Sequence, residues 1–218
     1  AKYVEMKEKA AKDASFNSIK VNLDANVTQK ELISIVNDLN SNKTVDGILV
    51  QLPLPDHIEQ KRVLQAIDVV KDVDGFHPHN LGALAREGEV LRQARQSFQP
   101  ELASNAPCTP LGCIELLQRS GVDVSGKHAV VLGRSNIVGL PVSLMLLHQN
   151  ATVTVCHSRT DDIPAIVRSA DIIIAAIGMA EFVQKDWVKP GAVVIDVGVN
   201  FVDDSTRKTG RRMCGDVE

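Results

Sequence analysis

The chain has 218 residues, 44% hydrophobic and 23% charged, with a formal net charge of -3. That is an ordinary balance for a globular protein, with length enough to bury a core in one large domain or two smaller ones. There is no basic excess to neutralise phosphates and only 3% aromatic content to stack bases, so a nucleic-acid partner is not expected. No apolar run approaches membrane-spanning length and no charged-then-apolar leader opens the chain, so a membrane partner is not expected either. The four cysteines (Cys108, Cys113, Cys156, Cys214) form no C-x-x-C pair, and their mostly apolar neighbours predict buried, reduced thiols in a reducing compartment.

Residues 3–14 read as a helix, and 18–23 alternate Ile19, Val21 and Leu23 with polar residues as a strand does. Thr28 and Glu31 form a capping box that opens a helix with an apolar stripe of Leu32, Ile33, Ile35, Val36 and Leu39. Residues 46–52 predict a buried strand stopped by Pro53 and Pro55, followed by a helix carrying Val63, Leu64 and Ile67. The first half is therefore expected to be an α/β unit with parallel strands. From about residue 82 to 105 periodicity is lost, which predicts a helical or irregular insertion near a domain boundary. Thr109-Pro110 offers a helix start and Gly121 a stop. Strands are then expected at 128–132, 152–156, 171–177 and 192–197, alternating with helices at 138–148 and across 164–167. The architecture implied is two α/β domains, residues 1–106 and 107–218, the second a Rossmann-like parallel sheet, with the active-site cleft between them.

Gly133-Arg134-Ser135-Asn136-Ile137-Val138-Gly139-Leu140-Pro141 lies between an apolar strand and an apolar helix. A strand, a glycine turn and a helix start bring bare backbone N–H groups and a helix N-terminus together, which suits a phosphate. The spacing is not G-x-G-x-x-G, so the glycines alone are a weak signal. In a dinucleotide fold the second strand ends beside the adenine ribose, where a carboxylate selects NAD and cationic or hydroxyl groups admit a 2′-phosphate. Here that strand ends in His157-Ser158-Arg159-Thr160, with no carboxylate before Asp161. Arg134 in the first turn adds a second cation, so NADP is expected over NAD, unless both arginines are only solvated surface groups.

In the first half, Tyr3 and Lys7 are four residues apart on one helix face, able to stack a flat substrate and exchange protons with it. An exposed lysine beside a half-buried tyrosine is the alternative. Gln51 ends a predicted strand, where open α/β sheets place ligand-binding groups. Asp72 and Asp74 are candidate metal ligands, a paired acid and base, or turn-holding groups. His77 and His79 lack a third ligand, so no metal is expected, and Cys108 reads as a small core thiol.

Together these stretches resemble the bifunctional methylenetetrahydrofolate dehydrogenase/cyclohydrolase family. The matching segments are Tyr3-Val4-Glu5-Met6-Lys7, residues 45–55, 71–76, 107–112, 133–141, 157–160 and 196–200, in family order along nearly the whole chain. The resemblance implies NADP-dependent oxidation of 5,10-methylenetetrahydrofolate to the methenyl form, then hydrolysis to 10-formyltetrahydrofolate in the same cleft. It implies that Lys7 is the key group of hydrolysis, with Gln51 as its hydrogen-bonding partner, Tyr3 stacked on the folate and Asp74 anchoring pterin-side groups. Val50 and Leu52 join Tyr3, Lys7, Gln51 and Asp74 in the substrate site. Gly133, Arg134, Ser135, Ser158, Arg159, Thr160 and Val199 match cofactor-holding positions, with Arg134 and Ser158 on the 2′-phosphate. A homodimer built through the cofactor domain is implied, and a cytoplasmic location, or an organellar one if a leader is missing.

The family pattern also has a strand before the Tyr3 helix, and a proline–glycine-rich loop with a return helix after Val217; neither is in this chain. A chain that truly ended at Glu218 is expected to be unstable or poorly active, since apolar faces would lose their cover. The other readings are a shikimate dehydrogenase-like NADP enzyme and a folate-binding module without activity.

Overall fold

The computed structural model describes residues 2–86, 105–207 and 209–218, with the side chains of Lys2 and Tyr3 outside the description. The first half is built on α1 (Lys2–Asp13), α2 (Gln29–Ser41) and α3 (Gln60–Ala66). The capping box forms: Glu31 N donates to Thr28 Oγ1 at 3.2 Å, and Thr28 N donates to Glu31 Oε2 at 2.9 Å. The far end of α2 is closed by Lys71, whose Nζ donates to the carbonyl oxygens of Leu39, Asn40 and Asn42 at 3.1, 2.7 and 2.8 Å. The ammonium thus satisfies the free carbonyls where the helix dipole is negative. The stripe of α2 buries Val36 with Ile48, Leu64 and Ile67, and Leu32 with Ile58 and Val63.

The strands expected in this half are largely absent among the described residues. Residues 18–23 form no ladder, and Ile19, Val21 and Leu23 are 67%, 50% and 40% exposed. The stretch 46–52 is reduced to one parallel bridge, Ile48 with Asp72, and only Ile48 of that apolar run is fully buried. Alternation marks a chain able to pair, but a strand exists only where a partner exchanges backbone hydrogen bonds with it.

The second half carries a four-stranded sheet: β1 (His128–Leu132), β2 (Thr152–Cys156), β3 (Ile172–Ala175) and β4 (Val193–Asp196), all parallel, in the order β2-β1-β3-β4. Its middle strands are apolar on both faces, as a parallel sheet covered on both sides requires. Ala129, Val131, Ile172 and Ile174 face the helices Cys108–Arg119 (α5) and Gly139–His148 (α6). Val130, Leu132, Ile173 and Ala175 pack with Val167 of the helix Ile163–Ser169 (α7) on the other side. An antiparallel hairpin of β5 (Asn200–Asp203) and β6 (Arg211–Cys214), unforeseen in the sequence, follows the sheet. Helix α4 (Pro78–Arg86) occupies the start of the stretch read as aperiodic, while residues 87–104 of the expected insertion lie outside the described residues. Leu84 of that helix belongs to the core shared with α5 and α6, and its carbonyl oxygen pairs with His148 Nε2 at 2.8 Å. Helix α5 begins at Cys108 with Pro107 as its cap, so Pro110 is the third helical residue, still in the first turn but two positions later than expected. Proline is tolerated there because the first turn has no backbone partner for its missing N–H.

Candidate active site

Strand β1 lies between β2 and β3, so the chain leaves β1 to one side and returns to the other. The carboxyl ends of β1 and β3 therefore flank a topological switch point, where open α/β sheets bind ligands. Gly133 follows β1 there with φ of +112°, and a Cβ on it would collide with the carbonyl oxygen of Ala176, just beyond β3. A Cβ on Gly139 would collide with the carbonyl of Gly133. Both glycines are required by close backbone approach, and the result is a tight backbone turn at a helix start.

The remaining sequence-predicted cofactor residues stand on the same edge. Arg134 and Ser135 are exposed on the glycine turn; Ser158 and Arg159 are exposed, and Thr160 half-buried, after β2; Val199 is exposed after β4. Ser135 Oγ accepts from the backbone N–H of Val138 and Gly139 at 3.2 and 3.4 Å, so its hydroxyl shapes the turn. The loop after β2 is closed by His157, whose N–H donates to Thr160 Oγ1 at 2.9 Å and whose Nδ1 accepts from Arg159 N at 3.2 Å.

A second group of residues gathers around Asp74. Burial pushes its carboxyl above the usual carboxylate range; the Lys7 ammonium counteracts part of this, and the Asp72 carboxylate adds to it. Lys7 is half-buried on α1, while the Tyr3 side chain lies outside the described residues. Asp72 is 1% exposed and accepts from His77 N at 2.7 Å and Asn80 Nδ2 at 2.8 Å, so it holds the turn that carries Asp74. His77 Nδ1 is taken up by the N–H of His79 at 3.1 Å, and among the described residues no three potential metal ligands converge. Gln51 is exposed, its amide donating to the carbonyl of its neighbour Leu52 at 2.9 Å. Val50 and Leu52 are half-buried against the core of the first half.

Two expectations about thiols are corrected. Cys108 is not a core thiol: it is exposed at the start of α5, its Sγ donating to the Val73 carbonyl at 3.6 Å. Partial desolvation of the thiol against that loop raises its pKa, as do the Asp74 and Asp72 carboxylates, with Lys7 opposing. Position rather than composition brought it there: Asn105 Nδ2 donates to the Asp72 carbonyl at 2.8 Å and the backbone of 105–107 packs against Gly75, which sets Cys108 on the Asp74 loop. Cys214 is likewise half-exposed on β6, whereas Cys113 and Cys156 are buried. Sequence reasoning also missed Asp216, which is fully buried behind the glycine turn; an acid beyond the last strand carries no motif that marks it.

Two family models match the chain, and together they span most of it. One, described as the tetrahydrofolate dehydrogenase/cyclohydrolase catalytic domain, matches residues 1–74. The other, the NAD(P)-binding domain of the same description, matches residues 107–218. The bifunctional protein FolD 2 of Arabidopsis thaliana is 53% identical over 99% of this chain and 68% of its own length. FolD 2 of Geobacter sulfurreducens is 49% identical, with 99% and 69% covered. Among solved structures, the bifunctional FolD enzyme of Campylobacter jejuni superimposes with a TM-score of 0.86 at 43% identity, covering all of this chain and 70% of that one. The Trypanosoma brucei FolD, complexed with NADP and an inhibitor, gives 0.87 at 43% identity, with 99% and 69% covered.

Proposed function

The chain belongs to the tetrahydrofolate dehydrogenase/cyclohydrolase family, and on that premise we propose that it oxidises 5,10-methylenetetrahydrofolate with NADP and hydrolyses the resulting 5,10-methenyl compound to 10-formyltetrahydrofolate. The observation that carries this reading is the pairing of two sites. A glycine-bounded turn stands at the sheet's switch point, and in the other half of the chain the charge of Lys7 acts on Asp74.

The turn fits a dinucleotide. Gly133 and Gly139 let the turn after β1 pack closely against Ala176 and against itself at the start of α6, where backbone N–H groups suit a phosphate, and Arg134, Ser158 and Arg159 offer cations and a hydroxyl to a 2′-phosphate. Bound there, NADP supplies the hydride acceptor for the methylene carbon. That transfer needs no protein acid or base, only folate and cofactor held face to face. Hydrolysis needs more, because water adds to the methenyl carbon with loss of a proton and the bond from that carbon to N5 then breaks, leaving the formyl group on N10. Lys7 polarises the reacting centre or moves that proton. Asp74 accepts from the pterin-side N–H groups, Gln51 hydrogen-bonds Lys7, Tyr3 stacks on the folate, and Val50 and Leu52 complete the wall.

The same reading includes a homodimer through the cofactor domain and a cytoplasmic location. For the dimer, support comes from the hairpin, where Phe201 and Met213 form a cross-strand pair with both side chains 68% exposed. Among the described residues no helix is long and apolar enough to cross a membrane. The deciding experiment follows the absorbance of methenyltetrahydrofolate with the purified protein, offered methylenetetrahydrofolate with NADP or NAD. Formation of the methenyl compound with NADP, faster than with NAD, and its subsequent decay are expected. No turnover with either cofactor would overturn the assignment.

A further inference from the structure

Asp216 is 0% exposed, yet it lies next to the carboxyl edge of the sheet. Its Oδ2 accepts from the backbone N–H groups of Ile177 at 2.7 Å and Gly178 at 3.0 Å. Its Oδ1 accepts from Asn200 Nδ2 at 2.9 Å, and the same amide donates to the Gly215 carbonyl at 3.1 Å. All three partners are donors, which is what a buried carboxylate without a cation needs. The segment bearing Asp216 is itself anchored by Asp196 at the end of β4. Asp196 Oδ1 accepts from Asp216 N at 3.0 Å and Gly198 N at 2.8 Å, and Oδ2 accepts from Val217 N at 3.1 Å.

These bonds converge on the loops that border the cofactor turn. Ile177 and Gly178 follow Ala176, whose carbonyl oxygen packs against the α-carbon of Gly133 and whose N–H donates to Leu132 O at 2.9 Å. Asn200 follows Val199. One buried carboxylate therefore ties the loop after β3, and through it the glycine turn after β1, to the loop after β4.

We infer that Asp216 is a positioning residue for the cofactor: its carboxylate sets the spacing of the Gly133, Ala176 and Val199 loops at the switch point. The inference rests on the NADP reading above. Neutral asparagine of the same shape cannot replace it, because an NH2 group would face either two backbone N–H groups or the Asn200 amide.

The test compares Asp216→Asn and Asn200→Ala with the unmodified protein. It measures KM for NADP in dehydrogenation, cofactor-free hydrolysis of methenyltetrahydrofolate, and Tm. A rise in the KM for NADP of about tenfold in Asp216→Asn, and a smaller rise in Asn200→Ala, is expected, with hydrolysis lowered far less than dehydrogenation at subsaturating NADP. An unmodified KM in both variants overturns the inference. So does loss of both activities in equal proportion in both, since a carboxylate needed only for folding lowers both alike. Should Asp216→Asn fail to fold, Asn200→Ala decides: a selective rise in KM supports the inference and its absence overturns it. Absence of NADP-dependent turnover in the unmodified protein would instead overturn the functional reading on which the test depends.

Discussion

Gly133 and Ala176 meet at the carboxyl edge of the sheet, the α-carbon of one against the carbonyl oxygen of the other, with Gly133 at a φ of +112°. A Cβ at position 133 would meet both a strained backbone and a carbonyl that cannot retreat, because Ala176 N is bonded to Leu132 O at 2.9 Å. Gly133→Ala should therefore lose at least about 1–3 kcal/mol of stability and weaken NADP binding. Thermal unfolding and cofactor titration check both, and a variant with unchanged Tm would show that the turn has slack.

Arg134 stands exposed on that turn. Loss of a charged hydrogen bond to phosphate removes roughly 1.5–3 kcal/mol, about 10- to 100-fold in affinity. Arg134→Ala should raise the KM for NADP by that factor and leave the KM for NAD nearly unchanged. Equal losses for both cofactors would show that the arginine does not read the 2′-phosphate.

Lys7 and Asp74 sit in different elements, and the charge of one acts on the carboxyl of the other. Lys7→Ala should lower methenyltetrahydrofolate hydrolysis by roughly 10²- to 10⁴-fold, the usual worth of a positioned proton-transfer group. NADP affinity should stay nearly intact, because the lysine is not among the cofactor-holding positions. Hydrolysis at the unmodified rate would remove Lys7 from the mechanism.

The raised pKa of Asp74 also makes a statement about stability. Burial penalises its charged form, so its contribution to stability is complete below the unfolded-state pKa and is lost as pH rises through the folded-state pKa. Above the unfolded-state pKa, burial of the group works against the fold. Asp74→Asn should then raise Tm at pH 7, with the gain disappearing as the pH falls below the carboxylate range, while weakening folate binding. Calorimetry across pH tests the sign, and a variant less stable at pH 7 than at acid pH, relative to the unmodified protein, would reverse it.

Lys71 closes α2 through three carbonyl oxygens. Lys71→Met keeps the stem and removes the donors, and should cost about 1.5–3 kcal/mol, read as a lower denaturant midpoint. A midpoint equal to the unmodified protein's would mean that water replaces the ammonium at no cost.

Much of the second half was legible in the sequence. Residues 128–132 and 152–156 are strands as read, and those at 172–175 and 193–196 lie inside the runs expected for them. A covered parallel strand must be apolar on both faces, so its signal is a short continuous run that no other element reproduces as well. The capping box at Thr28 is equally local, three residues deciding their own geometry. The glycine turn could be found because it too is contiguous, although its weak spacing needed Ser158 and Arg159, and then Lys7 and Asp74, to give it a meaning.

What tertiary structure alone decided depends on partners far apart in the chain. The alternation at 18–23 was real, but no ladder forms there, since pairing belongs to two segments and only one was in view. Cys108 looked like a core thiol from its neighbours, and the path of the chain set it beside Asp74. Asp216 carried no motif, and burial with three donors drawn from two loops gives it a role. The sequence by itself determined which segments bury their faces and what chemistry each motif could offer, because periodicity and local hydrogen bonding are read within a few residues. Only the tertiary structure decided which charges share a site and which carboxylate holds the loops, because burial and electrostatics are set by neighbours in space.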